Sequence, residues 1–183
     1  IGYDATADTL LLRSGTERLK RMKASDFIRS WTLADNWGLV LLDPEDSPGT
    51  VDAARYLTAV SGLEAAGRLE TAKRAYATAT LVWPDQALTW LGLGNVAYHQ
   101  GRFQTARNAY YKALELVPGD PVVTNNLAQV LTELGCAREA DRALDRLSSN
   151  TPIPNEVRNE LIKTRQLVEA RSALPDGPAC RRP

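Results

Sequence analysis

The chain has 183 residues, of which 44% are hydrophobic and 24% are charged, and its 22 Lys and Arg side chains balance its 22 Asp and Glu side chains. The apolar fraction is that of a globular chain able to bury a core, and the absence of a long basic block argues against a nucleic-acid partner. No stretch reaches the roughly 18 apolar residues that a membrane span requires, so no transmembrane segment is predicted.

Residues 1–47 are predicted to form strands and a short helix. Residues 9–13 and 37–42 are short apolar runs rich in strand formers and bounded by Gly, Asp and Pro, as is typical of strands. Between them, Ser25 is suited to cap a short helix. The locally basic run 17–23 has apolar residues interleaved, which favours the solvated side of a strand over a nucleic-acid site. The region is small for an independent domain.

A segment rich in proline and acidic residues, 43–49, predicts a linker, and repeated helices are expected after it. Three positions recur every 34 residues, the period of a stacked helix-pair repeat. They are Gly67, Gly101 and Gly135; Ala72, Ala106 and Ala140; and Pro84, Pro118 and Pro152. Each glycine is expected to end a first helix, because a residue without Cβ accepts the left-handed turn, and each proline to stop a second helix. The predicted pairs are 51–66 with 70–82, 87–100 with 104–117, and 121–134 with 138–149.

A last helix is predicted over residues 155–173. Asn155 is suited to cap it, and its apolar side chains fall on one side while Glu, Arg and Lys occupy the other. Such amphipathicity is what a terminal helix needs in order to close a stack of repeats. Beyond it, residues 174–183 are rich in Pro and are expected to form an irregular tail.

The 34-residue pattern resembles the tetratricopeptide repeat family. In the central copy the matching residues are Trp90, Leu93, Gly94, Gly101, Phe103, Ala106, Tyr110, Ala113 and Pro118. The resemblance implies three repeats over residues 48–154, stacked as an α-solenoid that binds a peptide or protein partner. Small residues such as Gly94 and Ala106 would let paired helices approach, with Tyr110 filling the remaining volume. The third copy has Leu144 in the place of that tyrosine.

If the resemblance holds, the first helix of each pair lines a concave peptide-binding groove. The residues expected to point into it are Leu57, Ser61, Leu91, Asn95, Tyr98, Asn125, Asn126 and Gln129. Amide side chains suit an extended peptide because each offers a donor and an acceptor to backbone groups, although exposed amides serve water equally well. The Lys and Arg clamp with which some members grip a terminal carboxylate is not expected here, since Leu57, Val122 and Asn126 occupy those places.

Two cysteines and one histidine are too few for a zinc site, so neither a metal nor another cofactor is predicted. A disulfide between Cys136 and Cys180 would pin the tail to the last repeat and would imply an oxidising compartment. The alternative is a buried Cys136 and a free thiol in the tail. His99, near the end of a first helix, is interpreted as a surface residue because no Cys or acid partner is close in sequence.

The first segment resembles the last third of a C39-like cysteine peptidase domain of the papain-like type. The resemblance rests on Ile1-Gly2-Tyr3-Asp4, the run from Thr9 to Gly15, the helix start at Ser25-Asp26-Phe27, and the run from Trp37 to Pro44. In that family the catalytic Cys and His would precede Ile1, so no catalytic residue and no peptidase activity are expected in this chain. The family's orienting Asp is expected near Arg13 and Ser14, where no acid stands. The chain does not begin with Met and does not open on a signal sequence, so we expect it to be part of a longer protein.

The expected fold is therefore mainly α: a tetratricopeptide-repeat solenoid of three helix pairs and a capping helix, preceded by a small β-rich fragment of a C39-like domain. The first functional hypothesis is a peptide- or protein-binding scaffold attached to a peptidase remnant. The alternative is that the intact parent is an active cysteine peptidase whose repeats recruit its substrate. The N-terminal strands are also expected to self-associate through unpaired edges. The resemblance and the disulfide together favour the bacterial periplasm or cell envelope.

Overall fold

The computed structural model describes residues 2–35, 42–46, 49, 51–147, 153–177 and 180, and the chain divides into two compact units, Ile1–Leu41 and Leu42–Pro183. The described residues form three strands and eight helices. The mainly helical fold with a small antiparallel sheet at the N-terminus is confirmed. In the described part of the chain, no helix is both long enough and apolar enough to cross a bilayer.

The first unit is an antiparallel sheet followed by a helix. Strands β1 (Gly2–Asp4), β2 (Thr9–Ser14) and β3 (Glu17–Lys23) pair in the order β1-β2-β3, and α1 (Ala24–Leu33) follows directly. The hairpin between β2 and β3 turns at Gly15, whose φ of +58° lies in the left-handed region that glycine accepts without strain. Strands over residues 9–13 and 17–23 are therefore confirmed. The strand predicted for 37–42 lies outside the described residues except for Leu42.

The start of α1 differs from the prediction. Lys23 is the last residue of β3 and also the cap of the helix, with no side-chain hydrogen bond at that position, so Ser25 lies inside the helix. The reason is that the extended strand runs directly into the helix. The backbone N–H of Ala24 donates instead to the carbonyl oxygen of Asp8, at 3.0 Å.

The second unit is a succession of helices at the predicted repeat. They are α2 (Ala53–Ala65), α3 (Leu69–Val82), α4 (Ala87–His99), α5 (Phe103–Leu116), α6 (Pro121–Glu133), α7 (Ala137–Asp145) and α8 (Asn155–Ser172). Most ends fall within two residues of the prediction. The exception is α7, which ends at Asp145 rather than at 149, ahead of a Ser-Ser-Asn-Thr-Pro run of poor helix formers.

Each first helix of a pair ends at the predicted glycine. Gly67, Gly101 and Gly135 have φ values of +71°, +69° and +75°. After each glycine, the next backbone N–H donates to a carbonyl five residues back, as from Arg102 to Ala97 at 2.8 Å. This pattern satisfies a carbonyl that the end of the helix would otherwise leave without a partner. The identical ends explain why the sequence period carries over into a regular succession of helix pairs.

Small residues allow the helices to pack closely, as the repeat pattern predicts. A Cβ atom placed on Gly94 would lie 2.4 Å from Cε1 of Tyr110, and one placed on Gly92 would lie 2.2 Å from Cε1 of Tyr76. The rings therefore occupy the space that side chains would fill. Ala106 is fully buried beside Tyr110 in the larger of two core clusters. The core of the second unit thus forms both within the helix pairs and between them: the smaller cluster lies mostly between α2 and α3, and the larger one joins residues of α4 to α8.

Candidate functional site

The candidate site is the surface made by the first helix of each pair, called here the first-helix face: the side chains of α2, α4 and α6 at the predicted groove positions. Helix α4 contacts both α2 and α6, and α6 contacts α8. The face is therefore continuous from the first pair to the last helix.

Hydrogen bonds join the middle of this face to the helix behind it. Oδ1 of Asn95 on α4 accepts from the hydroxyl of Tyr110 on α5 at 3.0 Å and from Nδ2 of Asn126 on α6 at 3.1 Å. Burial raises the pKa of Tyr110, with smaller contributions from Tyr98 and from the Glu64 carboxylate, so the hydroxyl stays protonated and donates. One acceptor atom therefore fixes the orientation of the amide of Asn95 and turns its Nδ2 group away from these partners.

Two amides of α6, those of Asn125 and Gln129, form hydrogen bonds within the protein. Oδ1 of Asn125 accepts from the hydroxyl of Thr164 on α8 at 2.8 Å, and the same hydroxyl oxygen accepts from Nε2 of Gln129 at 3.2 Å. Asn125 is only 5% exposed and Thr164 only 2% exposed. The prediction that Asn125 points into an open groove is therefore corrected: α8 covers it, because a buried amide requires a hydrogen-bonding partner and Thr164 supplies one.

The other predicted groove residues divide into buried and accessible ones. Leu57 is 7% exposed and belongs to the core cluster of the first pair, so the prediction that it faces a groove is also corrected; an apolar side chain gains more from packing there than from exposure. Ser61 is exposed, and its hydroxyl donates to the carbonyl oxygen of Thr58 at 2.9 Å. Leu91 and Tyr98 are half-buried at the edge of the larger core cluster. The accessible part of the face therefore centres on α4.

The electrostatic character of the face was not predicted. Neither α4 nor α6 contains a Lys or Arg, whereas Glu64 lies in the last turn of α2 and Glu133 is the last residue of α6. Burial raises the pKa of the Tyr98 hydroxyl, and the negative charge of Glu133 raises it further. The hydroxyl of Tyr76 donates to Glu64 at 3.2 Å. Two carboxylates thus border the accessible residues of α4, and the signal was present in the sequence: Glu64 lies one helical turn after Ser61.

The tail is held against the third repeat at two points. Cys136, which is fully buried, is joined to Cys180 by a disulfide with a Cα–Cα distance of 5.3 Å. The N–H of Gly177 donates to the carbonyl oxygen of Gly135 at 3.1 Å. The described part of the tail therefore packs against the end of α6, the first helix of the third pair, and the predicted disulfide holds it there.

Comparison with known families matches the geometry. Two family models described as tetratricopeptide repeat match residues 57–121 and 97–157, and together they span all three helix pairs. Among curated proteins, the mouse Protein O-mannosyl-transferase TMTC1 is 33% identical over 89 residues, which cover 49% of this chain. The chain spans only 9% of that protein's length.

Solved structures show the same fold at low identity. The Yersinia enterocolitica type III secretion chaperone SycD, in complex with a peptide of the translocator YopD, has a TM-score of 0.59 at 17% identity, covering 65% of this chain and 93% of that one. YrrB, described as a tetratricopeptide repeat protein with an unusual peptide-binding site, has a TM-score of 0.51 at 19% identity, covering 80% of this chain and 75% of that one.

Proposed function

Because residues 57–157 carry tetratricopeptide repeats, we propose that the first-helix face binds an extended peptide segment of a protein partner. The observation that carries the proposal is the arrangement around Asn95. Its Oδ1 atom is occupied by two protein donors, and no bond of its Nδ2 group is found among the described residues. The two N–H groups of that amide are then available to the backbone carbonyls of a peptide. SycD, whose structure holds a peptide of YopD, and YrrB, described as having a peptide-binding site, support the same proposal.

The accessible residues favour a particular kind of peptide. Leu91 and Tyr98 offer apolar surface on either side of Asn95, and Leu88, one turn before Leu91, is 59% exposed. Glu64 and Glu133 add negative charge, and no cation of α4 or α6 offsets it. A peptide with apolar side chains next to a Lys or Arg is therefore the best complement to this face.

The test compares Asn95→Asp with Gln104→Glu. Aspartate at position 95 keeps both acceptor bonds to Tyr110 and Asn126 but removes the two N–H donors. Gln104 is exposed on the second helix α5 and receives the same change of amide to carboxylate. Peptides are first selected from a synthetic library on the unmodified protein, and their affinities are then measured by calorimetry.

Loss of one peptide hydrogen bond, worth about 1.4 kcal/mol, weakens binding about tenfold in Asn95→Asp. Gln104→Glu is expected to stay within about twofold of the unmodified protein. Selected peptides that bind both variants equally well would place the site elsewhere.

We also propose, for the first unit, an origin as the last part of a C39-like peptidase domain. The hairpin of β2 and β3 followed directly by α1 has the order of elements that the resemblance implies. On this proposal the chain itself has no peptidase activity. The repeats then either act as a binding scaffold or recruit substrate to a full-length protein that is an active peptidase. Thiol labelling and peptide-cleavage assays on the full-length protein distinguish the two. A reactive Cys with a His ahead of Ile1 supports the enzyme, and a lack of both labelling and cleavage supports the scaffold.

The proposed compartment is oxidising, and on the C39-like resemblance it is the bacterial periplasm or cell envelope. The disulfide of Cys136 supports it, since such bonds persist in secreted and periplasmic proteins. Fractionation of the host cell followed by non-reducing mass spectrometry tests this point: a cytoplasmic protein with free thiols contradicts it.

Self-association through the edges of β1 and β3 is a further proposal, because edge strands present unpaired backbone groups. Light scattering over a range of concentrations tests it, and a strictly monomeric mass contradicts it.

A further inference from the structure

A cleft separate from the accessible residues of α4 lies between the second helices α5 and α7. This cleft, called here the second-helix cleft, has a volume of about 1040 Å³. Residues 107, 108, 111, 114 and 115 line it from α5. Residues 139, 142 and 143 line it from α7, together with Arg146, which follows the last residue of that helix. These spacings place each set on a single side of its helix. Leu127 of α6 and Cys180 of the tail also line it.

The carboxylates of this cleft have partners in the protein, whereas two of its arginines pair with no carboxylate in the described part of the chain. Its two carboxylates have partners in the protein: Glu139 accepts from the hydroxyl of Tyr111 at 2.6 Å, and Glu115 pairs with Lys112 at 2.7 Å. Two arginines that line the cleft, Arg142 of α7 and Arg146 at the end of that helix, have no carboxylate within ion-pair distance among the described residues. Arg142 donates only to the carbonyl oxygen of Arg138, and no bond of Arg146 is found in that part of the chain. Two guanidinium groups are therefore left to face the cleft without a counter-charge.

The first repeat shows what the positions of Arg142 and Arg146 can bind, because the residues at the same positions of that repeat have ligands within the chain. Arg74 on α3 lies 68 residues, or two repeats, before Arg142, and Thr78 lies two repeats before Arg146. The guanidinium of Arg74 binds Asp43 at 3.0 Å and Glu45 at 2.8 Å, and the hydroxyl of Thr78 donates to the carbonyl oxygen of Pro44 at 2.8 Å.

The bound segment is a tight acidic turn. The N–H of Asp46 donates to the carbonyl oxygen of Asp43 at 2.9 Å, and the N–H of Glu45 donates to the Asp43 carboxylate at 3.2 Å. The first of these bonds closes a four-residue turn with Pro44 at its second position, as proline prefers. The chain thus already contains one acidic turn docked on a second helix. Two repeats later, both docking positions carry an arginine: Arg142 in α7 and Arg146 directly after it.

We propose that the second-helix cleft is a binding site for an acidic turn of a partner protein, held by Arg142 and Arg146 as residues 43–46 are held by Arg74 and Thr78. Arg142 takes the carboxylates in the manner of Arg74. Arg146 replaces a hydroxyl donor with a charged one and reaches either a backbone carbonyl or a third carboxylate. Leu114 and Leu127 offer an apolar surface for a flanking side chain of the ligand. The site is distinct from the first-helix face, whose carboxylates favour a basic peptide.

The probe is a synthetic peptide with the sequence of residues 42–49, Leu-Asp-Pro-Glu-Asp-Ser-Pro-Gly, blocked at both ends and fluorescently labelled. Its matched control carries Asn and Gln in place of Asp and Glu. Fluorescence anisotropy is measured on the intact chain, on Arg142→Gln/Arg146→Gln, and on Arg138→Gln. The last variant removes one positive charge from a residue of α7 that does not line the cleft.

The expected result is that the acidic probe binds the unmodified chain and Arg138→Gln alike, and binds the double variant at least about tenfold more weakly. The amide probe should bind at least about tenfold more weakly than the acidic one, and binding should weaken as NaCl is raised from about 50 to 500 mM. Amide resonances of α5 and α7 in labelled protein should shift on binding, while those of α4 should not. This second measurement holds even if the double variant is poorly folded.

Three results would overturn the proposal. Equal binding of the acidic and amide probes would show that the carboxylates are not recognised. Equal binding by the unmodified chain and the folded double variant would place the site elsewhere. Complete displacement of the probe by an equal concentration of inorganic phosphate would show a simple anion site rather than a site for a turn. A failure of the first-helix face to bind any peptide leaves this experiment unaffected, since the variants and probes are separate.

Discussion

The close approach of Gly94 to Tyr110 yields the sharpest prediction for stability. In Gly94→Ala the new Cβ would lie 2.4 Å from Cε1 and 2.6 Å from Cδ1 of the ring, well inside contact distance. Tyr110 is only 2% exposed, and its hydroxyl is bonded to Asn95, so the ring cannot move aside without straining that bond. Overpacking of this kind costs about 1–3 kcal/mol, partly offset by the greater helix propensity of Ala, worth up to about 1 kcal/mol.

The predicted net loss in the free energy of unfolding of Gly94→Ala is therefore about 1–2 kcal/mol, and the thermal midpoint should fall by about 2–8 °C. The assay is thermal and urea unfolding followed by circular dichroism. Gly62→Ala is the matched control, because Gly62 lies inside α2 with no atom within 4 Å of its added Cβ. That variant should be neutral or more stable by up to about 1 kcal/mol.

The third repeat suggests a second substitution that restores part of the stability lost in Gly94→Ala. Ala128 and Leu144 stand one repeat after Gly94 and Tyr110, and both are buried in the same core cluster. In the third repeat, therefore, the larger Ala128 in place of glycine is accompanied by the smaller Leu144 in place of tyrosine. Adding Tyr110→Leu to Gly94→Ala should cost less than the sum of the two single changes, with a coupling of about 0.5–2 kcal/mol. Additive effects, or a Gly94→Ala variant as stable as the unmodified chain, would refute the packing argument.

Three further predictions concern contacts made over long sequence separations. Cys180→Ser removes the disulfide that closes a separation of 44 residues; it should lower the free energy of unfolding by about 2–4 kcal/mol and make the melt insensitive to dithiothreitol. Thr164→Val leaves Asn125 and Gln129 without their partner and should cost about 1–3 kcal/mol in urea unfolding, whereas Thr164→Ser should retain most of the stability. Arg74→Gln breaks two ion pairs at a solvent-accessible site and should cost at most about 1 kcal/mol, a difference that disappears in about 1 M NaCl.

The accessible and buried groove residues show where sequence reasoning was limited. The repeat period placed Asn95 and Asn125 in comparable helix positions, and both are amides. Only the neighbouring helices distinguish them. Helix α8 covers Asn125, whereas Asn95 accepts from Tyr110 and Asn126, and its Nδ2 group bonds to none of the residues that the structure describes. Register predicts which side of a helix a residue occupies, but it does not predict what later covers that side.

The 43–49 segment is a second case. Its prolines and acids correctly indicated a break in regular structure, and residues 43–46 do form a turn. Their docking on Arg74, about 30 residues later, was not visible in the composition, because ion pairs between distant residues depend on how the chain returns on itself. The second-helix cleft escaped prediction for the same reason.

What the sequence alone determined were the features set by neighbours along the chain: the helices from their apolar spacing, their ends from glycine in the left-handed region, the strands on both sides of Gly15, and the repeat itself. These depend on backbone sterics and on contacts within a few residues. The tertiary structure alone decided which amides are satisfied internally, which arginines lack a counter-charge and where the acidic turn lies. Those properties depend on burial and on long-range pairing, and only the folded chain brings the groups concerned together.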